Sequence, residues 1–551
     1  MRATRALGLR LKHWVQQQPP VIWIILAISL AGRITIAWSI PFYPDELYEL
    51  LAAKMILLKG AAVFPSGTLW PMGGPLVYLQ APLVGIFGFV EGVTRLPTVI
   101  LSTVGIYLLY RWGKDLFGRH AAAIAAFAMA VDPDTVVWGA YARPYSVSPL
   151  MVLLTLLLLR RAAARMARRQ AGLWAALAMV ITVWVLPLTI LWLPAFFAAY
   201  VIWSRRVLWG RIMVIGAASG VGTALVVAGM YLGDPGLFKS STMSGGMLSG
   251  SLVKAVFQRD LPYFSEYLHR GVLAVIIVVC GIGWLAALVR QRTASRPGTR
   301  DIAAISVFGC LGVVGLGLAR YCGTQTLLAL LPLFYLLGGV ALMRLAEGLR
   351  HLVAKAERKR PWRGSWASDS GLRDPNAPNG ASQRRLLQPP VLAGTTMVVL
   401  LLLGAPEAYW NLYHRPSLGI TQCYRYVKAH WQHGDVMLNA NPLVYIFVNP
   451  DAKSYYLVQR RFGLGLKRTR RGYVDRVLGA PLVKSTGKLK SILDENLRVW
   501  YVVKNRKFRK RLSWGSRQLI RARMKPVFTY GRSTVYFTCP PPRPEQAAGS
   551  S

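Results

Sequence analysis

Long apolar runs separated by short polar segments dominate the chain up to about residue 405. Many of these runs reach about 17 residues, the length at which a helix crosses the hydrocarbon core of a bilayer. They fall at about 21–40, 94–110, 120–138, 146–160, 212–232, 272–289, 302–319, 325–343 and 389–405. The stretch from Trp174 to Trp203 is too long for one span, and Pro187 divides it into two short ones with an outer turn. This pattern predicts a polytopic α-helical membrane protein with about eleven transmembrane helices. The first run is too long for the apolar region of a signal peptide, and an acidic segment follows it, so it is read as a span.

After about residue 407 the pattern changes. Short β-like runs appear at Val436–Leu438, Val444–Val448, Val499–Val503 and Thr534–Phe537, and Tyr424–His430 reads as a helix. A C-terminal soluble α/β domain is therefore expected over 407–551. Between it and the core, 344–388 is rich in Arg, Lys, Gly, Ser, Pro and Asn and reads as a disordered cytoplasmic linker, followed by the last span at 389–405. The transmembrane core is 21–343, with outer loops at 41–80 and 233–271 and a cytoplasmic tail at 1–20.

Charge sets the orientation. The 66 Lys and Arg outnumber the 22 Asp and Glu, a net charge of +44. In a soluble protein that excess would point to nucleic acid. Here it gathers in the tail and short loops, at Arg111–Arg119, Arg160–Arg169, Arg205–Arg211 and Arg290–Arg300, which places those loops in the cytoplasm. No nucleic-acid partner is expected. Alternation from these loops puts the C-terminal domain outside the cell membrane despite its own basic character, because long domains are translocated largely regardless of charge. Cys423 and Cys539 both lie in that domain and would be free to pair in an oxidising space.

The expected outer face carries the candidate chemistry. Asp45-Glu46 stands just beyond the first span, in Tyr43-Pro44-Asp45-Glu46-Leu47-Tyr48-Glu49, at the start of an amphipathic stretch from Leu47 to Leu58. One reading is a pair of helix-start carboxylates and nothing more. The other is a general base, since a carboxylate at the lipid–water boundary is partly desolvated. Arg143 and Arg320 lie at outer span ends, where an arginine either snorkels or grips a phosphate. Asp132 and Asp134 flank Pro133 and are either a helix stop or cavity-lining carboxylates. Glu266 and His269, spaced i and i+3, are the one candidate metal pair. The sequence demands no cofactor, and a divalent ion is the only candidate.

These pieces resemble the GT-C type glycosyltransferases that use polyprenyl-phosphate sugars. That group includes protein O-mannosyltransferases and the aminoarabinose transferases that modify lipid A. The resemblance rests on Asp45 to Gly60, on Pro75-Leu76 through Phe87-Gly88 to Arg95-Leu96-Pro97, and on Leu116-Phe117-Gly118-Arg119 with Tyr141-Ala142-Arg143-Pro144-Tyr145. Arg320-Tyr321 before a Leu-rich span is similar to a later element. Met72-Gly73-Gly74-Pro75 departs from the pattern, lacking a charged residue that some relatives carry.

The resemblance implies transfer of a sugar from a polyprenyl-phosphate donor to a hydroxyl of a protein, lipid or glycan acceptor. Asp45 would be the base of a single inverting displacement, and Glu46 would support it or bind acceptor. Arg143, Arg320 and Tyr145 would meet the donor phosphate, with Asp132, Asp134 and Tyr321 as cavity candidates. The competing class is a transporter or flippase of a lipid-linked precursor, which would place ionisable residues and broken helices near mid-membrane.

Overall fold

A computed structural model describes residues 18–43, 45–70, 72–164, 169–204, 209–233, 299–318, 328–359, 419–438, 443–449, 451–458, 466–469, 472–505, 508 and 512–538. Its membrane part is a helical bundle. In chain order the helices are α1 (Pro20–Ser39), α2 (Glu46–Lys59), α3 (Gly74–Phe87), α4 (Glu91–Thr94), α5 (Leu96–Phe117), α6 (Arg119–Val131), α7 (Pro133–Ala140) and α8 (Pro144–Ala164). They continue as α9 (Arg169–Val185), α10 (Leu193–Trp203), α11 (Trp209–Gly233), α12 (Thr299–Leu318) and α13 (Leu331–Lys359). Among the described residues, four helices are long and apolar enough to cross a membrane, in α1, α8, α11 and α13, and the bent pair α6–α7 makes up to five. Expected spans at 94–110 and 302–319 are occupied by α5 and α12. A 3₁₀ turn at Pro187–Trp192 separates α9 from α10, as Pro187 implied. The spans expected at 272–289 and 389–405 lie outside the described residues.

Two expectations need correction, whereas the loop region 41–80 is helical over its expected amphipathic stretch, Leu47 to Leu58. It holds α2 and the start of α3, a short apolar helix. Its α2 segment has acidic residues in the first turn, Lys59 in the last and Gly60 at φ 74° as its stop, an ordering favoured by the helix dipole and by glycine's freedom. Residues 344–359, expected as the beginning of a disordered linker, continue α13 without a break, because no Gly-Pro signal interrupts the Leu and Ala pattern there. Finally, Val444–Val448 forms a π-helical turn and not a strand.

The span expected at 120–138 is broken. α6 and α7 meet at an angle of 62° at Asp132-Pro133. Proline has no N–H to continue the ladder, and the carbonyls before it lose their partners. In hydrocarbon such groups must be satisfied internally. The Arg33 guanidinium of α1, fully buried, donates to the carbonyls of Met129 (3.3 Å), Ala130 (3.4 Å) and Thr135 (3.2 Å). On the other side of the break, Asp132 Oδ1 accepts from the Thr135 N–H at 2.9 Å and caps α7. Asp132 therefore occupies the helix-stop role.

The C-terminal domain follows with α14 (Gly419–His430), β1 (Val436–Met437), β2 (Lys453–Ser454), β3 (Tyr456–Leu457), β4 (Leu466–Thr469), β5 (Gly472–Asp475) and β6 (Leu482–Val483). Then come α15 (Thr486–Glu495), β7 (Val499–Lys504), α16 (Trp514–Arg523), β8 (Lys525–Tyr530) and β9 (Ser533–Phe537). The main sheet has the order β2-β1-β7-β9-β8, parallel on the β2-β1-β7 side and antiparallel on the other. β7 reads Val-Trp-Tyr-Val-Val-Lys and is buried along nearly its whole length, as a central strand covered on both faces must be. Cys423 is buried and unpaired among the described residues, and Cys539 lies outside them.

One hydrophobic cluster runs from this domain into the membrane core. It joins Tyr424, Val427, Trp500 and Phe537 to Phe42, Leu47, Leu50 and Val77. Arg425 of α14 also pairs with Glu91 of α4, and the Ser66 hydroxyl donates to the carbonyl of Arg476. The domain thus sits directly on α2 and the loop after it, on the same side of the molecule as Asp45.

What fastens that side is a fully buried ion pair, Arg95–Glu46, both side chains 0% exposed. Arg95 Nε and Nη2 donate to the two Glu46 oxygens at 2.8 and 2.6 Å, and Nη1 donates to the last carbonyls of α1, Ala37 at 2.9 Å and Ile40 at 2.6 Å. Removing one partner of such a pair strands a buried charge and costs about 3–5 kcal/mol. Arg95→Met is expected to lower the thermal unfolding temperature of the detergent-solubilised protein sharply, and Arg95→Met combined with Glu46→Gln to recover part of the loss. An Arg95→Met protein that melts like the wild type would show that the pair fastens nothing.

Candidate active site

The site is assembled from the end of α1, the start of α2, the turn between α7 and α8, and the C-terminal domain. Glu46 is its anchor. Besides Arg95, it accepts the Tyr43 N–H at 2.6 Å and the Ala142 N–H at 2.6 Å. Four donors on one buried carboxylate occupy its lone pairs, so Glu46 holds neighbouring segments in position. It holds the 141–143 turn against α2, while the Arg95 guanidinium lies between the rings of Phe42 (5.4 Å) and Tyr141 (5.3 Å).

Asp45, one residue earlier, is arranged differently. It occupies the N-cap position of α2 but in a helical conformation, φ −80° and ψ −22°, and its side chain makes no capping hydrogen bond. Among the described residues its carboxylate has no hydrogen bond or ion pair, and the residue is only half-buried. The helix-start reading is met by position alone, since the helix dipole favours a carboxylate there without a hydrogen bond. The side chain holds no N–H of the first turn, so its oxygens are left unengaged among the described residues.

Arg143 approaches Asp45 from the turn. Its Nη1 donates to the Asp45 backbone carbonyl at 3.0 Å and to both oxygens of Glu49 at 2.7 and 2.8 Å. Its guanidinium lies 5.4 Å from the centre of the Tyr145 ring. Glu49 is 0% exposed and Arg143 is 7% exposed at the side chain. Burial pushes the Glu49 carboxyl up to about 8, with Arg143 opposing. Burial works against the Arg143 charge, but the facing Glu49 more than reverses this and raises its pKa. Arg143 Nε is buried with no hydrogen-bond partner.

An aromatic wall stands beside the carboxylates. Tyr48 stacks on Trp70 (5.8 Å between centres, 18° between planes) and meets Phe64 edge-on. Burial, and then the Asp45 and Asp475 carboxylates, hold the Tyr48 phenol protonated well above its ordinary range. Asp475 belongs to the C-terminal domain. Its Oδ2 accepts the N–H groups of Val477 (3.0 Å) and Leu478 (2.7 Å), forming a tight turn that docks on the 61–70 loop, where Ser66 N–H donates to the Val477 carbonyl at 3.2 Å. The domain therefore supplies one side of the site.

The structure brings Asp45, Glu46, Arg143 and Tyr145 together. Asp132 stands at the α6–α7 break and Asp134 in the first turn of α7, so the eight residues of α7, about 12 Å of helix, separate Asp132 from the 141–143 turn. Arg320, Tyr321, Glu266 and His269 lie outside the described residues. Among the described residues no group of three His, Cys, Asp or Glu is placed to hold a metal ion. Three participants were missing from the sequence-based set. Glu49 was visible only as another loop acid, Arg95 only as part of a motif, and Asp475 had no signal because its neighbours arrive from 400 residues away. The absence of a charge before Pro75 has a steric account, for side chains at Gly73 and Gly74 would run into Pro144 (2.9 Å) and the Trp184 indole (2.2 Å).

Residues 73–231, from the start of α3 to α11, match the family model of dolichyl-phosphate-mannose-protein mannosyltransferases. No curated protein sequence matches the chain. Among solved structures, ArnT from Cupriavidus metallidurans bound to undecaprenyl phosphate is similar over 95% of this chain and 99% of its own, at 13% identity and a TM-score of 0.59. The apo state of the same protein is similar over 97% and 100%, at 14% identity and a TM-score of 0.59. The apo oligosaccharyltransferase of Archaeoglobus fulgidus is similar over 89% of this chain and 70% of its own, at 12% identity and a TM-score of 0.50. At these identities the likeness is one of fold, and the fold is that of the GT-C membrane enzymes which the outer-face motifs resemble.

Burial raises the Asp475 carboxyl to about 6, and its two backbone N–H bonds oppose the rise. A carboxyl whose pKa is higher folded than unfolded stabilises the fold at low pH, and that contribution is lost as pH rises from about 4 through about 6. Asp475→Asn keeps an acceptor for both N–H groups. It is expected to remove this decline and to be the more stable protein at pH 7 by on the order of 2 kcal/mol. Unfolding temperatures of the full chain between pH 4 and 7 check this, and parallel curves for the two proteins would contradict it.

Proposed function

We propose that this chain is a multi-pass cell-membrane glycosyltransferase that moves a sugar from a polyprenyl-phosphate donor to an acceptor hydroxyl on the outer face. The observation that carries this reading is the unpaired Asp45 carboxylate at the head of α2, in a site where the neighbouring acids are occupied. The family match over 73–231 and the fold shared with ArnT, whose structure contains undecaprenyl phosphate, support the class of donor. The full topology on this reading has about eleven spans, counting those expected outside the described residues, with the C-terminal domain extracytoplasmic.

In the reaction, Asp45 accepts the proton of the acceptor hydroxyl as that oxygen attacks the anomeric carbon. The bond from that carbon to the phosphate oxygen breaks, and its electron pair leaves on the lipid phosphate. Attack opposite the leaving group inverts the anomeric centre. Negative charge develops on the departing phosphate, and Arg143 is the cation on this side of the site that receives it, with Tyr145 beneath its guanidinium. A proton-accepting carboxylate of this kind contributes about 10²–10⁴ in rate. The basic C-terminal domain closes the site from outside through the Asp475 turn and would meet the acceptor there.

One feature favours the flippase reading, namely the span broken at Asp132-Pro133 with Arg33 buried beside it. Arg33, however, donates to the carbonyls that the break exposes, which gives it a structural task. The two readings separate on Asp45→Asn. Membranes carrying the wild type should transfer radiolabelled sugar from one of a panel of polyprenyl-phosphate sugars. The variant, normally inserted, should fall at least 100-fold on the scale set for a lost general base. Equal transfer by both proteins would remove Asp45 as the base. Translocation of the lipid-linked sugar without transfer would establish the flippase.

A further inference from the structure

Arg143 is engaged by protein groups. Its Nη1 is held by both Glu49 oxygens and by the Asp45 carbonyl, while Nε is buried without a partner. Arg143 is the side chain bonded to Glu49 among the described residues, and Glu49 is fully buried. Glu49 faces the turn and lies one helical turn beyond Asp45.

We infer that Glu49 is a resident counter-ion for Arg143, and that a lipid phosphate entering the site takes over the guanidinium while Glu49 accepts one proton. This rests on the reading of Arg143 as the phosphate ligand. The argument is one of charge. A phosphate beside an ionised Glu49 would set two anionic groups against one cation in a buried site, where like charges repel strongly. Glu49 cannot turn to water, so protonation relieves the conflict. The proton comes from solvent on binding and returns when lipid phosphate leaves. The groups facing Glu49 are Arg143 from the turn, Asp45 from the head of its own helix and Tyr145 from α8. Asp475 and Tyr456 of the C-terminal domain face the adjacent Tyr48. Of these, Glu49 is the carboxylate bonded to the cation.

Glu49 is thus a positioning residue for the leaving group. At pH above about 8, where Glu49 is ionised, its charge balances Arg143 and weakens the hold on product lipid phosphate, which favours release.

The test uses the full-length protein in detergent with undecaprenyl phosphate as the probe. Proton uptake is read with a pH indicator in weak buffer, and affinity is measured between pH 6 and 10. The wild type should take up about one proton per bound lipid at pH above about 8, with affinity falling roughly tenfold per pH unit there. Glu49→Gln, which keeps an oxygen for Arg143 Nη1, should bind about tenfold tighter or more at pH 9, take up no proton and show a flat affinity. Its kcat should fall with its KM, because product leaves slowly. Glu49→Asp should restore the pH dependence. Wild-type binding without proton uptake would overturn the inference even if Glu49→Gln failed to fold. Arg143→Met separates the two levels. If it binds the probe as the wild type does, the phosphate role of Arg143 and this inference both fall. If it loses binding while Glu49→Gln keeps wild-type affinity and proton uptake, only the role of Glu49 falls.

Discussion

The buried bond between Arg95 and Glu46 is the constraint on which the outer half of this protein depends. Arg95 gathers the unsatisfied carbonyls at the end of α1, and Glu46 gathers N–H groups from Tyr43 and Ala142. Each ion therefore completes the hydrogen bonding of a different chain segment while neutralising the other. Buried pairs are tolerated when their remaining donors and acceptors are used in this way. The result is a rigid junction between the first span, the head of α2 and the turn bearing Arg143. Asp45 sits at the edge of that junction, with its position set by its neighbour and its carboxylate left over.

The same physics recurs twice at other depths. Arg33 satisfies the carbonyls freed by Pro133, so the α6–α7 span can bend without leaving bare backbone in hydrocarbon. Arg143 is the third buried arginine, and it differs in place: it is 6% exposed where Arg33 and Arg95 are 0%, and it lies against Asp45. That position is what singles out Arg143 as the group for a ligand. It also gives Glu49 its importance, because among the described residues Glu49 is the carboxylate bonded to Arg143.

Much of this was legible along the chain. Hydrophobic runs placed α1, α5, α8, α11 and α12 within a few residues, because a bilayer demands continuous apolar length. Pro187 marked a real interruption. Asp45, Arg143 and Tyr145 were singled out, and they do meet. The misreadings share a cause. Val444–Val448 has a strand's composition but packs as a π-turn beside Met55 and Phe42, since a short apolar run takes whatever form its tertiary neighbours permit. Asp132 read as a helix stop or a cavity-lining acid, and the bend gives its carboxylate a capping bond at the head of α7. The two adjacent acids, Asp45 and Glu46, were indistinguishable as letters.

The sequence by itself determined that the chain carries repeated membrane-spanning runs, that its basic residues gather in short loops between them, and that a small α/β domain follows. Those are matters of local length, periodicity and charge, and each is decided within a few dozen residues. Tertiary structure alone decided which acid is consumed and which is free, that Glu49 and Arg143 form a pair, and that Asp475 closes the site from the far end of the chain. These are contacts between residues about 50, 100 and 400 positions apart. A buried charge is defined by the group placed against it, and no pattern along one strand of sequence carries that information.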